Sequence, residues 1–161
     1  MKVDIIAVGK LKESFWREAC AEYGKRLTRY LDVDIVELDD KDPARYGGEQ
    51  RAREAEGVEI ERAIERSAAS PDRYVAVLDI EGDLVTSEDM ARLVEERQVS
   101  GCKKLVFVIG GSTGIDDAVK RRAQALISFG RITLPHNLAR VVLLEQIYRA
   151  CRIVAGEPYH K

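Results

Sequence analysis

Residues 105–114 read Leu-Val-Phe-Val-Ile-Gly-Gly-Ser-Thr-Gly, an apolar run that leads directly into a glycine-rich loop. A short run without a polar position is typical of a strand that is covered on both faces of a parallel sheet. Residues 74–78, Tyr-Val-Ala-Val-Leu, have the same character and predict a second buried strand, which residues 79–83 would end as a loop. Together the two runs predict an α/β protein whose mostly parallel sheet is sandwiched by helices.

The rest of the chain supplies the alternating elements that this architecture needs. Asn137 is expected to cap the last helix, and Gly156 and Pro158 are expected to end it. With 161 residues, no internal repeat and no visible linker, residues 1–161 are expected to form a single domain. The patterns predict further strands at 2–8, 33–38 and around 129–134, a loop at 39–48, and helices at 13–31, 49–69, 86–98, 116–125 and 138–155.

The composition argues against several classes of protein. Charged residues make up 34% of the chain, which also has 4 Pro and 12 Gly, so neither a disordered nor a collagen-like chain is indicated. No apolar run approaches the roughly 20 residues of a membrane span, and the N-terminus does not have the pattern of a signal peptide. Three widely spaced cysteines favour reduced thiols and a cytoplasmic location, and two histidines without ligand spacing argue against a metal site.

The formal net charge of −2 is unevenly distributed along the chain. Residues 1–30 carry seven basic and four acidic side chains, and residues 121–161 carry seven basic and two acidic ones. Residues 31–100, in contrast, carry nine basic and twenty acidic side chains. A polyanionic partner is one interpretation, provided that the two basic ends share a face. Ordinary charged helix surfaces are the other.

Three predicted strand exits are the first candidates for a functional site. They are residues 78–82, residues 110–114 and residues 132–137. Ligands of open α/β sheets bind beyond the carboxyl ends of the strands, and glycines there allow a close approach of the backbone. The loop at 110–114 is neither a P-loop nor a G-x-G-x-x-G motif. The exits therefore predict a nucleotide-like cofactor site, with ordinary connections between strands and helices as the alternative.

The C-terminal segment is the second candidate. The last predicted helix is apolar on nearly all sides, which favours packing on the sheet and on a partner, most simply in a symmetric dimer. Arg140, Arg149 and Arg152 are polar positions on it, and they would either pair internally with Glu145 or serve a function. The tail 159–161 is either a frayed terminus or part of a site.

Four segments resemble one known family. They are residues 1–10, residues 106–114 (Val-Phe-Val-Ile-Gly-Gly-Ser-Thr-Gly), residues 134–150 (Leu-Pro-His-Asn-Leu-Ala-Arg through Ile-Tyr-Arg-Ala) and residues 158–161 (Pro-Tyr-His-Lys). In order and spacing the segments are similar to the bacterial large-subunit ribosomal RNA methyltransferase H family, minimal members of the SPOUT methyltransferases. The resemblance covers the whole chain.

The resemblance implies a C-terminal trefoil knot, a homodimer and S-adenosylmethionine as methyl donor, with no membrane or metal partner. The implied reaction is methylation of N3 of pseudouridine 1915 in helix 69 of 23S rRNA, within the assembled 70S ribosome. A non-catalytic ribosome-binding module of the same fold is the main alternative. A small hydrolase is another, and it would have to use Asp116 and Asp117 beside the glycine loop.

The resemblance also assigns individual residues. His136, Tyr159 and His160 are candidates for handling the N3 proton, while Arg140 and Arg149 would bind phosphate or developing charge. We also expect the C-terminal tail to cover a pocket, either its own or that of the partner. The contacts to the cofactor would fall on Leu78, Gly110, Phe129, Gly130, Arg131, Ile132, Thr133 and Leu134.

Overall fold

A computed structural model describes residues 1–67 and 72–159 of the chain. These residues form five strands and six helices. The strands are β1 (Lys2–Val8), β2 (Asp32–Leu38), β3 (Arg73–Leu84), β4 (Lys104–Ile109) and β5 (Ala125–Ser128). The helices are α1 (Ser14–Leu27), α2 (Pro43–Tyr46), α3 (Glu49–Ser67), α4 (Ser87–Val99), α5 (Asp117–Arg122) and α6 (His136–Val154).

The five strands form one sheet in the order β2-β1-β4-β3-β5, and every neighbouring pair is parallel. The central strand β4 is buried on both faces, as its apolar run predicts. Its residues Leu105, Phe107 and Ile109 pack in a core with α1, α4 and α6. Val106 and Val108 point to the opposite face and pack with α3 and α5. The predicted sandwich of helices around a parallel sheet is confirmed.

Strand β3 is longer than predicted. It continues through residues 79–83, which the sequence analysis assigns to a loop, and ends at Leu84. Leu78 pairs with the last residue of β4, Ile109, so the segment beyond it has only β5 as a neighbour. The register to β5 shifts between Leu78 and Asp83. The acidic side chains of this extension are tolerated because Glu81 and Asp83 are exposed and Asp79 pairs with Lys120.

The region around β5 also differs from the prediction. The strand ends at Ser128, and the apolar segment 129–134 is a loop that leads to α6. Helix α6 begins at His136, directly after Pro135, and the Asn137 side chain accepts only the neighbouring Leu138 N–H at 2.9 Å. Pro135 is the extended N-cap residue of the helix, with φ −62° and ψ 148°, and its side chain makes no capping hydrogen bond. Gly156, with φ +67°, follows the helix as predicted.

The remaining boundaries shift by a few residues. Helix α1 ends at Leu27, and the short helix α2 lies within the predicted loop 39–48. Helix α3 is described up to Ser67, so the last two residues of the predicted helix, 68 and 69, lie outside the described residues. Helix α4 begins as predicted, because Thr86 and Asp89 form a reciprocal capping box. The trefoil knot stays a prediction, with which the fold is consistent.

Gly82 allows the close approach of β3 and β5. A Cβ atom at this buried position would lie 2.7 Å from the backbone carbon of Leu126 in β5. We therefore expect Gly82→Ala to lower the free energy of unfolding by about 1–3 kcal/mol, because the β5 backbone must move. Urea-induced unfolding of the purified variant measures this change.

Gly24→Ala is the matched control. Gly24 lies inside α1, and a Cβ atom there would meet nothing within 4 Å. This substitution should raise the free energy of unfolding by about 0.5–1 kcal/mol, since alanine is the better helix former. Equal unfolding midpoints for the two variants would contradict the packing role of Gly82.

Candidate functional site

A cavity of about 640 Å³ opens at the carboxyl edge of the sheet. Its walls come from residues 78–80 within β3, the ends of β4 and β5, the loop 110–115, the loop 129–135 and the start of α6. The three strand exits that the sequence analysis singled out therefore meet in one place. They do so because Leu78 of β3 pairs with Ile109 of β4 on one side and with Ile127 of β5 on the other.

Most of the residues predicted to bind the cofactor lie at this cavity. Arg131 is the exception, because its guanidinium reaches back along β3 and donates to the carbonyls of Ile80 and, at 3.2 Å, of Gly82. Arg131 thus fixes the loop to β3 from outside the cavity. The predicted residues that line the cavity are Leu78, Gly110, Phe129, Gly130, Ile132, Thr133 and Leu134.

The glycine loop forms a tight turn at the end of β4. The Gly114 N–H donates to the Gly111 carbonyl at 3.2 Å, and Gly114 has a φ of +83° that favours glycine. A Cβ atom at Gly110 would lie 2.5 Å from the side chain of Ile115. Glycine at these positions allows the loop to fold back onto the cavity wall.

Ser128 joins the loop 129–135 to β3 on the β5 side of the cavity. It is buried at the end of β5, and its hydroxyl lies 2.8 Å from the Gly130 carbonyl and 3.3 Å from the Ile80 carbonyl. Ser128 therefore shapes the turn that begins the loop 129–135. The sequence analysis missed this residue, because one serine at the end of a short apolar run carries little signal.

Asp79 is a second residue that the sequence analysis missed. Its carboxylate forms an ion pair of 2.5 Å with Lys120 of α5 and accepts the Glu81 N–H at 2.9 Å. Burial works to raise the pKa of Asp79, but these two contacts outweigh it and hold the pKa below the ordinary 3.8. Asp79 is consequently ionised at neutral pH, and Lys120 balances its charge.

His136 is the predicted catalytic residue that lines the cavity. Its ring packs on Gly9 at the end of β1, where a Cβ atom would lie 2.6 Å from the ring carbon Cε1. Among the described residues its buried Nδ1 has no hydrogen-bond partner. Burial, and next to it the positive charge of Arg140, lower the pKa of His136 below 6.5. The imidazole is therefore neutral at physiological pH and able to accept a proton.

Arg140 lies behind this wall of the cavity. Its side chain is 1% exposed, Nη2 donates to the Gly9 carbonyl at 2.8 Å, and Nη1 donates to the Glu37 carboxylate. Both terminal nitrogens of Arg140 thus donate to groups of the protein itself. The predicted role of Arg140 in binding phosphate stays a prediction, and in this arrangement the residue joins β1, β2 and α6.

Arg149 and Tyr159 form a separate cluster near the end of α6. Arg149 pairs with Glu145 at 3.0 Å, as the internal-pairing interpretation expects, and its guanidinium lies 4.5 Å from the centre of the Tyr159 ring. Tyr159 packs edge-on against Tyr148 at 5.3 Å between ring centroids. Arg149 and Tyr159 do not line the cavity within the part of the chain that is described. The predicted His160 lies outside the described residues.

Asp116 has a structural role. Its side chain caps α5 by accepting the Ala118 N–H at 2.8 Å, and a Cβ atom at Gly57 would lie 2.8 Å from it. This arrangement gives no support to the hydrolase alternative. In residues 1–67 and 72–159, His, Cys, Asp and Glu side chains form no group of three or more that would hold a metal ion. No helix in those ranges is long and apolar enough to cross a membrane.

Comparisons with known proteins agree with this architecture. The sequence profile of a family described as "Predicted SPOUT methyltransferase" matches residues 1–160. The chain is 47% identical over 161 residues to the ribosomal RNA large subunit methyltransferase H of Bacillus pumilus and 46% identical over 164 residues to that of Bifidobacterium adolescentis. A third protein of this name, from Streptococcus equi subsp. zooepidemicus, is 44% identical. Each alignment covers both chains completely. The chain therefore belongs to the SPOUT methyltransferase family.

Proposed function

We propose that this protein transfers a methyl group from S-adenosylmethionine to N3 of pseudouridine 1915 in helix 69 of 23S rRNA. In this proposal it acts as a cytoplasmic homodimer on the assembled 70S ribosome. The names of the relatives support a substrate in large-subunit ribosomal RNA. The observation that carries the proposal is the cavity beside β3 at the ends of β4 and β5, with the neutral His136 in its wall.

The cavity fits a ligand of the size and character of S-adenosylmethionine. Small-molecule sites typically have volumes of about 300–1,000 Å³ and mostly apolar walls with a few polar groups. Leu78, Ile115 and Phe129 provide apolar surface here, while the loops 110–114 and 129–135 bring backbone groups to the edge. We propose that the loops hold the adenosyl part and that the apolar side chains exclude water from it.

The bound cofactor supplies an electrophilic methyl group on a sulfonium sulfur. The protein must orient the attacking base. It must also accept the N3 proton or stabilise the negative charge that loss of this proton leaves on the base. We propose His136 as the proton acceptor, because its imidazole faces the cavity and is held neutral.

The cluster of Arg149 and Tyr159 supports the homodimer. Arg149 follows Arg140 by nine positions in α6, which is about 13 Å along the helix axis. If Arg149 and Tyr159 contact the substrate, a second copy of the chain is the simplest way to bring them to a cavity. We therefore propose that the tail of one protomer covers the cavity of its partner. The basic segments 1–30 and 121–161 would then form the face that contacts rRNA.

Transfer of labelled methyl to ribosomes tests the proposed function. We expect label from S-adenosylmethionine to appear on 70S ribosomes from a strain that lacks the modification, at the helix 69 pseudouridine. Free 23S rRNA is assayed alongside. Label only on the free RNA would overturn the assembled ribosome as substrate. No label on either, from a folded protein that binds ribosomes, would favour the non-catalytic module.

The pH dependence of the transfer tests His136. A base whose pKa is lowered stays deprotonated as the pH falls, so kcat should hold until below pH 6.5. His136→Gln should lower kcat by about 10²–10⁴-fold, the usual contribution of a general base. An unchanged kcat in this variant would rule out His136 as the proton acceptor.

Removal of the tail tests the role of Tyr159. A chain that ends at Glu157 should keep its oligomeric state and lose methyl transfer, because the tail covers the cavity and does not hold α6 on the sheet. Light scattering and the ribosome assay measure the two properties. Full activity of the shortened chain would contradict the covering role.

A further inference from the structure

Glu37 lies on the edge strand β2 and connects it to two other parts of the fold. One of its oxygens, Oε1, accepts the Leu11 N–H at 3.2 Å, in the loop between β1 and α1. The same oxygen accepts from Nη1 of Arg140 in α6, a residue 103 positions further along the chain. A single carboxylate thus ties β2 to the exit of β1 and to the last helix.

Arg140 connects Glu37 to the cavity wall. Because its other terminal nitrogen donates to the Gly9 carbonyl at 2.8 Å, the guanidinium holds the end of β1 against α6. The His136 ring packs on Gly9, which has no side chain and whose φ of +99° favours glycine. Any shift of Arg140 would therefore move the backbone under the imidazole.

We propose that Glu37 is a positioning residue for the methyl transfer: through Arg140 and the Gly9 carbonyl it fixes the His136 ring in the cavity wall. This inference rests on the proposed function for its kinetic consequence alone. Independently of that function, the contacts predict that removing the Glu37 charge changes the electrostatic environment of the His136 imidazole in α6.

The charges around His136 predict the direction in which its pKa would change. Burial and Arg140 lower the pKa of the imidazole, whereas Asp40, Glu37 and Glu13 raise it. Glu37 acts in two ways, since it is itself negative and it partly neutralises Arg140. Loss of the Glu37 charge should consequently lower the pKa of His136 further.

NMR titration of the imidazoles in the full-length protein tests the proposal. The chain has only two histidines, and His136→Gln assigns the signals. We expect Glu37→Gln to shift the His136 pKa downward. Asp34→Asn is the matched control, because it removes the same charge from β2 three residues earlier, where the side chain points to the other face of the strand. A His136 pKa that does not change, or that changes as in the control, overturns the proposal.

Kinetics add a second test. Glu37→Gln should lower kcat roughly tenfold and leave the KM for S-adenosylmethionine nearly unchanged, because a misplaced acceptor slows transfer without changing the adenosyl site. Glu37→Asp keeps the charge and should recover part of kcat. This variant still tests the proposal if Glu37→Gln does not fold. If the wild-type protein transfers no methyl group, the proposed function fails while the titration still tests Glu37. If transfer is normal and the titration shows no shift, only the role of Glu37 fails.

Discussion

The functional site depends on one constraint of the sheet, which is that the parallel strands β4 and β5 lie on either side of β3 and reach the cavity at the level of Leu78. Leu78 in β3 pairs with Ile109 on one side and with Ile127 on the other. The loops that leave β4 and β5 therefore face each other across the continuing strand β3. The cavity lies between them, and its walls are apolar because they extend the two cores that cover the sheet.

The same constraint explains which parts of the fold the sequence could predict. Strand β4 and the first half of β3 are buried on both faces, so their residues are apolar without interruption. Strand β5 has only four residues, and the segment 129–134 after it has the spaced apolar residues of a strand. That segment is apolar because Phe129, Ile132 and Leu134 line the cavity. A cavity wall and a buried strand give the same local pattern, and only tertiary structure separates them.

The residues of the site also divide into those that could be predicted from the sequence and those that could not. Glycines and a histidine at strand exits carry a local signal, and the exits at Leu78, Gly110 and His136 do meet at the cavity. The surroundings of Arg140 carry no such signal, since its partner Gly9 lies 131 positions earlier in the chain. Ser128 and Asp79 were missed for the same reason. Their partners become neighbours only when β5 and α5 pack beside β3.

Helix α6 places its polar groups in two environments, and this separation bears on how the site is completed. At its start, His136 and Arg140 belong to the cavity and to the end of β1. At its end, Arg149 and Tyr159 interact with Glu145 and Tyr148 on the same helix. Arg140 and Arg149 lie about 13 Å apart along the helix axis, and Tyr159 follows the end of α6. In the proposed reaction, a second copy of the chain is therefore the simplest source of the Arg149 and Tyr159 cluster.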